Sequence, residues 1–202
     1  MTQPASDAEI DATIVILAGG EARRLPDKLQ RPIEGEPLLV RVFERLRGRW
    51  PIAIAARSGF PAELDARLSC PILIDRWPNQ GPLAALVSAA GSLQAQRIFA
   101  VAGDLPFIDI PMLERLHAAW QSGDEAVVYR RGERLEPLAA LYDRAALLRE
   151  GFALVQHGTG AMHALIERLR ARFIESDSFQ FLNVNTPDDL ARATAHAAKG
   201  SS

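Results

Sequence analysis

ATIVILAGG, residues 12–20, is the stretch of sequence that determines the fold. Its first six residues are apolar or β-branched without regular polar alternation, which is typical of a strand buried on both faces of a parallel sheet. Two glycines end the strand, and a basic loop with Arg23, Arg24 and Lys28 follows them. Because glycine has no side chain, backbone N–H groups in such a turn can approach a phosphate closely. The stretch therefore predicts a phosphate site at the end of a buried strand.

Short apolar runs alternate with segments of helical apolar spacing along most of the chain. Strands are predicted at residues 13–17, 52–55, 72–74, 98–102, 126–129 and 138–141. Helices are predicted between them at residues 38–47, 62–68, 83–93 and 112–121. This βαβα order predicts the α/β class, as a doubly wound three-layer α/β sandwich with a mostly parallel sheet.

The last third of the chain departs from this alternation. A polar turn at residues 130–134 joins two strands, and residues 161–172 have helical spacing before a short FIES run. A closing helix is predicted over residues 185–198, with Thr186 as its N-cap and Pro187 at its first position.

The composition excludes several classes of protein. A net charge of -2 gives no general attraction to nucleic acid, and the single cysteine, Cys70, excludes an internal disulfide or a zinc site built from several thiolates. The N-terminus lacks a secretory signal, and no apolar run has the length of a membrane span. We therefore predict a cytoplasmic protein without nucleic-acid or membrane partners. It is predicted to form one domain over residues 1–202, with flexible ends at 1–11 and 198–202.

Chemically active side chains follow three of the predicted strands. Ala18, Gly19 and Gly20 follow the first strand, Asp75 follows the third, and Asp104 follows the fourth. Ligands of open α/β sheets bind outside the carboxyl ends of the strands, so these residues are expected to meet at one edge. Asp104 is a candidate Mg²⁺ ligand, because Mg²⁺ binds one or two carboxylates together with phosphates and waters. Asp75 is a candidate contact for a ribose hydroxyl. For each aspartate, the alternative is a turn or helix-capping role.

Lys28 is one of only two lysines, the other being Lys199, in a chain with 21 arginines. A lysine carries a compact ammonium, which suits a tight phosphate pocket better than the wide guanidinium of arginine. The alternative is a tight turn with a solvated basic face, because neither a Walker loop nor a dinucleotide fingerprint is present. The four histidines form no i,i+4 metal pair, and no nucleophile elbow is found.

Five short segments resemble, in the same order, those of molybdenum cofactor guanylyltransferases, a MobA-like nucleotidyltransferase family. They are LAGG with Arg24, Asp27-Lys28 and GEPLL; DRWPNQGPLAAL; GDLPFI; LEPLAALYDRAALL; and FLNVNTPDDL. The segments extend over residues 17–190, and the asparagines of the last one distinguish this family from relatives that share only the first. The resemblance implies a Rossmann-like nucleotidyltransferase fold.

The resemblance also implies an activity and its site. The implied reaction transfers GMP from GTP to molybdenum-molybdopterin, which gives the molybdopterin guanine dinucleotide cofactor and pyrophosphate. The implied cofactor is Mg²⁺, and the implied protein partners are a molybdenum-insertion protein and molybdoenzyme chaperones. The implied nucleotide contacts are Leu17, Ala18, Gly19, Lys28, Asp75 and Asp104, to which the glycine turn adds Gly20. The implied catalytic residues are Arg24, Lys28 and Asp104, with Asp104 as the metal ligand and with Asn183 and Asn185 on the pterin side.

Three positions depart from the family pattern. Pro26 stands in a shortened first loop where a glycine is usual, and Arg57 or a neighbour replaces an asparagine that contacts the nucleotide. Residues 156–159 lack an arginine that is often present. Two alternatives therefore stay open. One is a transferase that uses CTP on the same pterin, or another nucleotidyltransferase that acts on a sugar phosphate or an alcohol phosphate. The other is a protein that binds nucleotide or pterin and delivers it without catalysis.

Overall fold

The computed structural model describes residues 11–19, 25, 27–176 and 179–200, and within them the chain forms nine strands and seven α-helices. The strands are β1 (Ala12–Leu17), β2 (Pro32–Ile33), β3 (Glu36–Pro37), β4 (Ile52–Ala56), β5 (Ile72–Ile74), β6 (Arg97–Ala102), β7 (Ala126–Arg131), β8 (Arg134–Asp143) and β9 (Ala171–Glu175). The helices are α1 (Leu38–Leu46), α2 (Ala62–Asp65), α3 (Pro82–Gly91), α4 (Ile110–Ala119), α5 (Arg144–Gln156), α6 (Met162–Ile166) and α7 (Pro187–Gly200). Two short 3-10 helices span Lys28–Gln30 and Phe179–Phe181.

Seven strands form one sheet in the order β5-β4-β1-β6-β8-β7-β9, and β2 pairs with β3 in a separate hairpin. Pairing is parallel from β5 to β6 and again between β7 and β9. Only β8 among these seven strands runs in the opposite direction, and it pairs antiparallel with both of its neighbours. The beginning of β8 therefore lies at the same edge as the carboxyl ends of β1, β4, β5 and β6.

Helices cover both faces of the sheet, which gives three layers. In β1, Ile14 and Ile16 face the core that contains α1 and α4, whereas Val15 and Leu17 face the core that contains α3 and α5. All six residues of β1 are buried, as the unbroken apolar run predicts. The predicted doubly wound, mostly parallel α/β architecture is confirmed.

The predicted strands are confirmed within one or two residues, except that β8 begins four residues earlier than expected. The predicted helix over residues 161–172 is wrong beyond Ile166. Only Met162–Ile166 is α-helical, and residues 171–172 belong to β9 together with most of the FIES run. The reason is tertiary: β9 pairs in parallel with β7, and this pairing outweighs the local helical spacing. Helix α5 was not predicted.

The closing helix begins as the sequence predicts. Asp189 N donates to Thr186 Oγ1 at 3.1 Å, and Thr186 N donates back to Asp189 Oδ2 at 3.0 Å. This reciprocal pair satisfies two backbone donors at the start of α7. None of the helices in the described part of the chain combines the length and the apolar character needed to cross a bilayer.

Candidate functional site

A cavity of about 750 Å³ opens at the sheet edge where β1, β4, β5 and β6 end, a size typical of ligand-binding sites. Eight of the residues named from the sequence line it: Leu17, Ala18, Gly19, Lys28, Asp75, Asp104, Asn183 and Asn185. The expectation that the residues following the strands meet at one edge is confirmed for Ala18, Gly19, Asp75 and Asp104, and Lys28 joins them there. Gly20 and Arg24 lie outside the described residues, as does Pro26.

Lys28 connects two distant parts of the chain at the centre of the cavity. Its Nζ donates to Asp104 Oδ2 at 2.5 Å and to Asn185 Oδ1 at 2.7 Å. The side chains of Lys28 and Asp104 are only 11% and 17% exposed, so this ion pair is largely shielded from solvent. Asp27 precedes Lys28 with a left-handed backbone, φ 53°, and turns the chain into the short helix that carries the lysine. The isolated lysine is thus fixed against the aspartate that follows β6.

The C-terminal asparagines reach the cavity through a backbone contact with the same aspartate. Val184 N donates to Asp104 O at 3.0 Å, and the Val184 side chain is fully buried. The residues on either side of it, Asn183 and Asn185, both line the cavity. The Asn-Val-Asn sequence therefore places an apolar anchor in the core and an amide on each side of it.

Asp104 is the described residue best suited to hold a divalent cation in this cavity. Its Oδ1 is buried and has no hydrogen-bond partner among the described residues, while Oδ2 contacts Lys28. No group of three or more histidine, cysteine or acidic side chains that could enclose a metal occurs in the described ranges. A single carboxylate with an unused oxygen fits Mg²⁺ that arrives with substrate phosphates and waters, because Mg²⁺ keeps most of its ligands outside the protein.

The part of the cavity at the ends of β1, β4 and β5, here called the β5 side, is formed by Gly19, Arg57 and Asp75. Asp75 N donates to Ala56 O at 2.8 Å, so the residues that follow β4 and β5 are neighbours. Asp75 Oδ1 accepts from Trp77 N at 2.9 Å, and the residue is only 8% exposed. Asp75 thus makes the turn contact that was its alternative role, and it also lines the cavity.

The opposite part of the cavity, here called the β8 side, consists of residues 134–138 together with Ala161, Met162 and His163. Val128 pairs with Ala140, but Tyr129 pairs with Glu136, so residues 137–139 form a bulge in the pairing of β7 with β8. The Tyr142 hydroxyl donates to Pro137 O at 2.8 Å and holds this bulge in place.

Sequence reasoning assigns these β8-side residues no role. It identifies the segment LEPLAALY only as part of a family motif, and it says of the histidines, His163 among them, only that they form no i,i+4 metal pair. The polar turn at residues 130–134 is a signal from which the position of the β8-side residues could be inferred. A strand that follows such a hairpin turn runs antiparallel, so its first residues lie at the ligand edge.

Glu136 is the most unusual ionisable group on the β8 side. It is 6% exposed, and its Oε1 accepts no hydrogen bond within the described part of the chain. Arg134 Nε and Arg131 Nη1 lie 3.2 Å and 3.6 Å from this oxygen, in poor alignment for hydrogen bonds. Burial raises the pKa of Glu136, and the two arginines offset only part of that increase.

Two glycines join the β5 side to the β8 side. A Cβ on Gly160 would lie 1.7 Å from Gln80 O, and a Cβ on Gly81 would lie 2.7 Å from Gly160 O. Gly81 also has a φ of 88°, and Leu83 N donates to Gly160 O at 3.2 Å. The loop before α6 can therefore pack against the start of α3 only because both positions lack a side chain.

Cys70 has no role in this chemistry. It lies just before β5, half-buried, as a small residue near a strand start. Burial raises the pKa of its thiol to about 11, so the thiolate needed for nucleophilic attack is scarce at neutral pH.

Comparison with known proteins gives a consistent family assignment. The family model described as "MobA-like NTP transferase domain" matches residues 14–174. A molybdenum cofactor guanylyltransferase of Cereibacter sphaeroides is 36% identical over 191 residues, which cover 89% of this chain and 93% of that protein.

Two solved structures extend the comparison to the fold. Molybdopterin-guanine dinucleotide biosynthesis protein A from Archaeoglobus fulgidus superposes with a TM-score of 0.79 at 25% identity, covering 93% of this chain and 99% of that one. The 2-C-methyl-D-erythritol 4-phosphate cytidylyltransferase from Thermus thermophilus has a TM-score of 0.70 at 17% identity, covering 91% and 98%. The second likeness concerns the fold alone.

Proposed function

The chain belongs to the MobA-like NTP transferase family, and we propose that it transfers GMP from GTP to molybdenum-molybdopterin. An oxygen of the molybdopterin phosphate attacks the α-phosphorus of GTP. The bond between that phosphorus and the oxygen bridging to the β-phosphorus breaks, and pyrophosphate leaves. The observation that carries the proposal is the Lys28 ammonium, held between Asp104 and Asn185 where the β5 and β8 sides of the cavity meet.

The strand order supports one arrangement of the two substrates. The nucleoside of GTP occupies the β5 side, where Asp75 accepts a hydrogen bond from a ribose hydroxyl. Its phosphates lie on the backbone of residues 17–20, with Lys28 and Arg24 as counter-charges. Molybdopterin occupies the β8 side, with Asn183 and Asn185 directed towards it.

The reaction needs little acid–base chemistry from the protein. The attacking phosphate is already an anion at neutral pH, so no strong general base is required. The barrier comes from repulsion between two anions and from the loss of their orientational freedom. Lys28 and fixed backbone N–H groups reduce that repulsion in a partly shielded cavity, where electrostatic interactions are stronger than in water.

Asp104 is the residue that would hold Mg²⁺, through its unpartnered Oδ1. When bound, the ion supplies positive charge to the α-phosphate and to the departing pyrophosphate. Lys28 remains the counter-charge on the other carboxylate oxygen and keeps the side chain of Asp104 oriented.

Substitution of the two lysines provides a matched test. Lys28→Met is expected to lower turnover about 100- to 1000-fold, as removal of one preorganised contact to a developing charge typically does. Lys199→Met is the control, because Lys199 is the only other lysine and lies exposed near the end of α7. The assay measures pyrophosphate released from GTP and Mg²⁺ with and without molybdenum-molybdopterin. Circular dichroism monitors the fold.

Turnover measured with different nucleoside triphosphates, with and without molybdopterin, distinguishes guanylyl transfer from the two alternatives. Guanylyl transfer requires that GTP supports turnover better than CTP or ATP, and only when molybdopterin is present. A preference for CTP would replace guanylyl by cytidylyl transfer. Unchanged turnover in Lys28→Met, with weakened binding of nucleotide or pterin, would instead support delivery without catalysis.

The proposal also includes properties of the whole protein. We propose that residues 1–202 form a single nucleotidyltransferase domain that acts in the cytoplasm. Its product passes to molybdoenzyme chaperones, and its acceptor substrate comes from a molybdenum-insertion protein. Affinity purification from cells making a molybdoenzyme, with Lys28→Met as bait, tests these two contacts.

A further inference from the structure

One guanidinium on the β5 side of the cavity, that of Arg57, has no protein partner among the described residues. Arg57 directly follows β4, is half-buried and lines the cavity. Within the described part of the chain it forms neither a hydrogen bond nor an ion pair. A guanidinium has five donors in a rigid planar fork, so in this position it is available to a ligand.

The neighbours of Arg57 fix where that fork can act. A Cβ on Gly19 would lie 3.5 Å from Arg57 Cγ, so the aliphatic stem of the arginine crosses the glycine. On the other side, Ala56 pairs with Ile74, the last residue of β5, and Asp75 directly follows it. Arg57 therefore stands between the glycine turn and a largely buried carboxylate. It is two strands from Asp104, which corresponds to roughly 10 Å at the usual strand spacing.

In the proposed arrangement, Arg57 lies on the β5 side of the cavity, which the nucleoside of GTP occupies. Asp75 follows the strand next to that of Arg57, and its carboxylate can accept hydrogen bonds from hydroxyl or base N–H groups. The counter-charge suited to the reacting phosphates, Lys28, lies against Asp104, which follows β6 and is two strands away from Arg57. The groups near Arg57 are thus those of a sugar or a base.

We propose that Arg57 is a specificity-determining residue that donates two parallel hydrogen bonds to O6 and N7 of the bound guanine. This inference rests on the proposed function, because it requires GTP on the β5 side. Guanine O6 and N7 are adjacent acceptors that match the arginine fork, and this pair is the commonest base-specific contact of arginine. Adenine carries an amino donor in place of O6, so the same fork discriminates against ATP.

Binding of nucleotide analogues to the full-length protein tests the proposal without requiring turnover. The wild-type protein is titrated calorimetrically with GTP, 7-deaza-GTP, CTP and ATP in the presence of Mg²⁺. Because 7-deaza-GTP lacks only the N7 acceptor, we expect it to bind the wild type roughly 3- to 10-fold more weakly than GTP. Arg57→Met should bind GTP roughly 5- to 150-fold more weakly than the wild type and should not distinguish GTP from 7-deaza-GTP.

Two further variants keep the result interpretable. Arg76→Met is the matched control, because Arg76 is an exposed arginine two residues after β5 and, within the described part of the chain, is not one of the residues that line the cavity. It should behave as the wild type with all four nucleotides. Arg57→Lys retains the charge but not the planar fork, so it should bind GTP more weakly than the wild type does and more tightly than Arg57→Met.

The outcomes separate this inference from the proposed function. A wild type that prefers GTP but binds 7-deaza-GTP equally well overturns the role of Arg57 and leaves guanylyl transfer standing. The role is also overturned if Arg57→Met weakens the binding of GTP, CTP and ATP by the same factor, since that result indicates a contact with the phosphates. If the wild type shows no preference for GTP, guanylyl transfer is itself contradicted, and this inference fails with it.

Discussion

At the scale of single residues, two buried glutamates have opposite protonation preferences. Glu125 accepts from Arg170 N at 3.0 Å and from Arg149 Nη2 at 2.9 Å, and the backbone hydrogen bond is the main cause of its lowered pKa. Glu136 lies in the cavity wall without comparable partners, and burial raises its pKa. We therefore expect the Glu125 carboxylate to stabilise the folded protein at neutral pH and the Glu136 carboxylate to destabilise it.

We predict that Glu125→Gln lowers the free energy of unfolding by about 1–2 kcal/mol near pH 7, because a charged acceptor is lost. A carboxyl whose folded pKa is lowered contributes stability above its unfolded pKa, and this contribution disappears as the pH falls through the folded pKa. The difference in the free energy of unfolding between Glu125→Gln and the wild type should therefore be smaller at about pH 4 than near pH 7. Urea titrations at the two pH values measure it. Glu133→Gln, in an exposed turn, is the control. An equal loss at both pH values would contradict the assignment.

The opposite sign is expected for Glu136→Gln. A carboxyl whose folded pKa is raised favours folding when it is protonated, and this contribution is lost as the pH rises through the folded pKa. The glutamine variant should therefore be more stable than wild type near pH 7 and no more stable at about pH 4. Thermal unfolding at the two pH values measures the difference. Greater stability of the wild type at neutral pH would show that the arginines outweigh the cost of burial.

Single site residues could be predicted where their position at a strand end was predictable. Gly19, Asp75 and Asp104 follow apolar runs that predict parallel strands. The carboxyl ends of parallel strands lie at the same edge of the sheet whatever the order of the strands. The contact of Lys28 with both Asp104 and Asn185 could not be derived from spacing. It depends on the turn at Asp27 and on a C-terminal segment that returns to the sheet edge.

At the scale of elements, α5 shows why a helix can escape prediction. Gly151 lies in its interior, where glycine costs about 1 kcal/mol relative to alanine and weakens the helical pattern. A Cβ at Gly151 would lie 2.6 Å from Val87 Cγ2, so the glycine allows α5 to pack closely against α3. The local signal against a helix is therefore a consequence of a tertiary contact that a single sequence does not reveal.

The packing of the loop before α6 against the start of α3 gives a further prediction. Gly160→Ala must displace this loop from Gln80, because the added Cβ would overlap its carbonyl oxygen. We expect a reduced kcat/KM for molybdopterin, with a smaller change in the affinity for GTP, since the loop carries the β8-side residues Ala161 and Met162. Steady-state kinetics and GTP titration measure the two effects.

Gly91→Ala is the matched control for that substitution. Gly91 is at the other end of α3, and a Cβ there would meet no atom within 4 Å. This variant should retain full activity and gain up to about 1 kcal/mol of stability, because alanine is the better helix former. A Gly160→Ala enzyme with unchanged kinetics would show that the close packing of the two glycines does not position the acceptor.

At the scale of the whole molecule, the order of the strands sets the order of the groups along the cavity. Asp75 follows β5, Arg57 follows β4, Gly19 lies two residues after β1 and Asp104 follows β6, with the beginning of β8 next to it. The doubly wound, mostly parallel sheet could be predicted from the alternation of strands and helices. The reversed β8 between β6 and β7 could not be placed, because its position depends on long-range pairing.

Ligand binding should stabilise the whole fold, because the cavity joins the N-terminal, central and C-terminal segments. We predict that GTP with Mg²⁺ at 100 times the dissociation constant adds about 2.7 kcal/mol to the free energy of unfolding. For a chain of this length that corresponds to a rise in Tm of roughly 5–10 °C. The same concentration of CTP should give a smaller rise, and Lys28→Met should lose most of the GTP effect. A Lys28→Met protein with the full rise would contradict a phosphate contact at that lysine.

The reversed direction of β8 has a consequence for how this enzyme could be re-engineered. In the proposed arrangement, molybdopterin contacts one hairpin strand, one short helix and the two asparagines before α7, whereas GTP contacts the preceding parallel units. We expect that replacing the β7–β8 hairpin and the α6 loop by those of a related transferase would change the acceptor substrate. The selection of the nucleoside triphosphate would be preserved. Selection of the acceptor and selection of the nucleotide therefore depend on different segments of the chain, which can be exchanged separately.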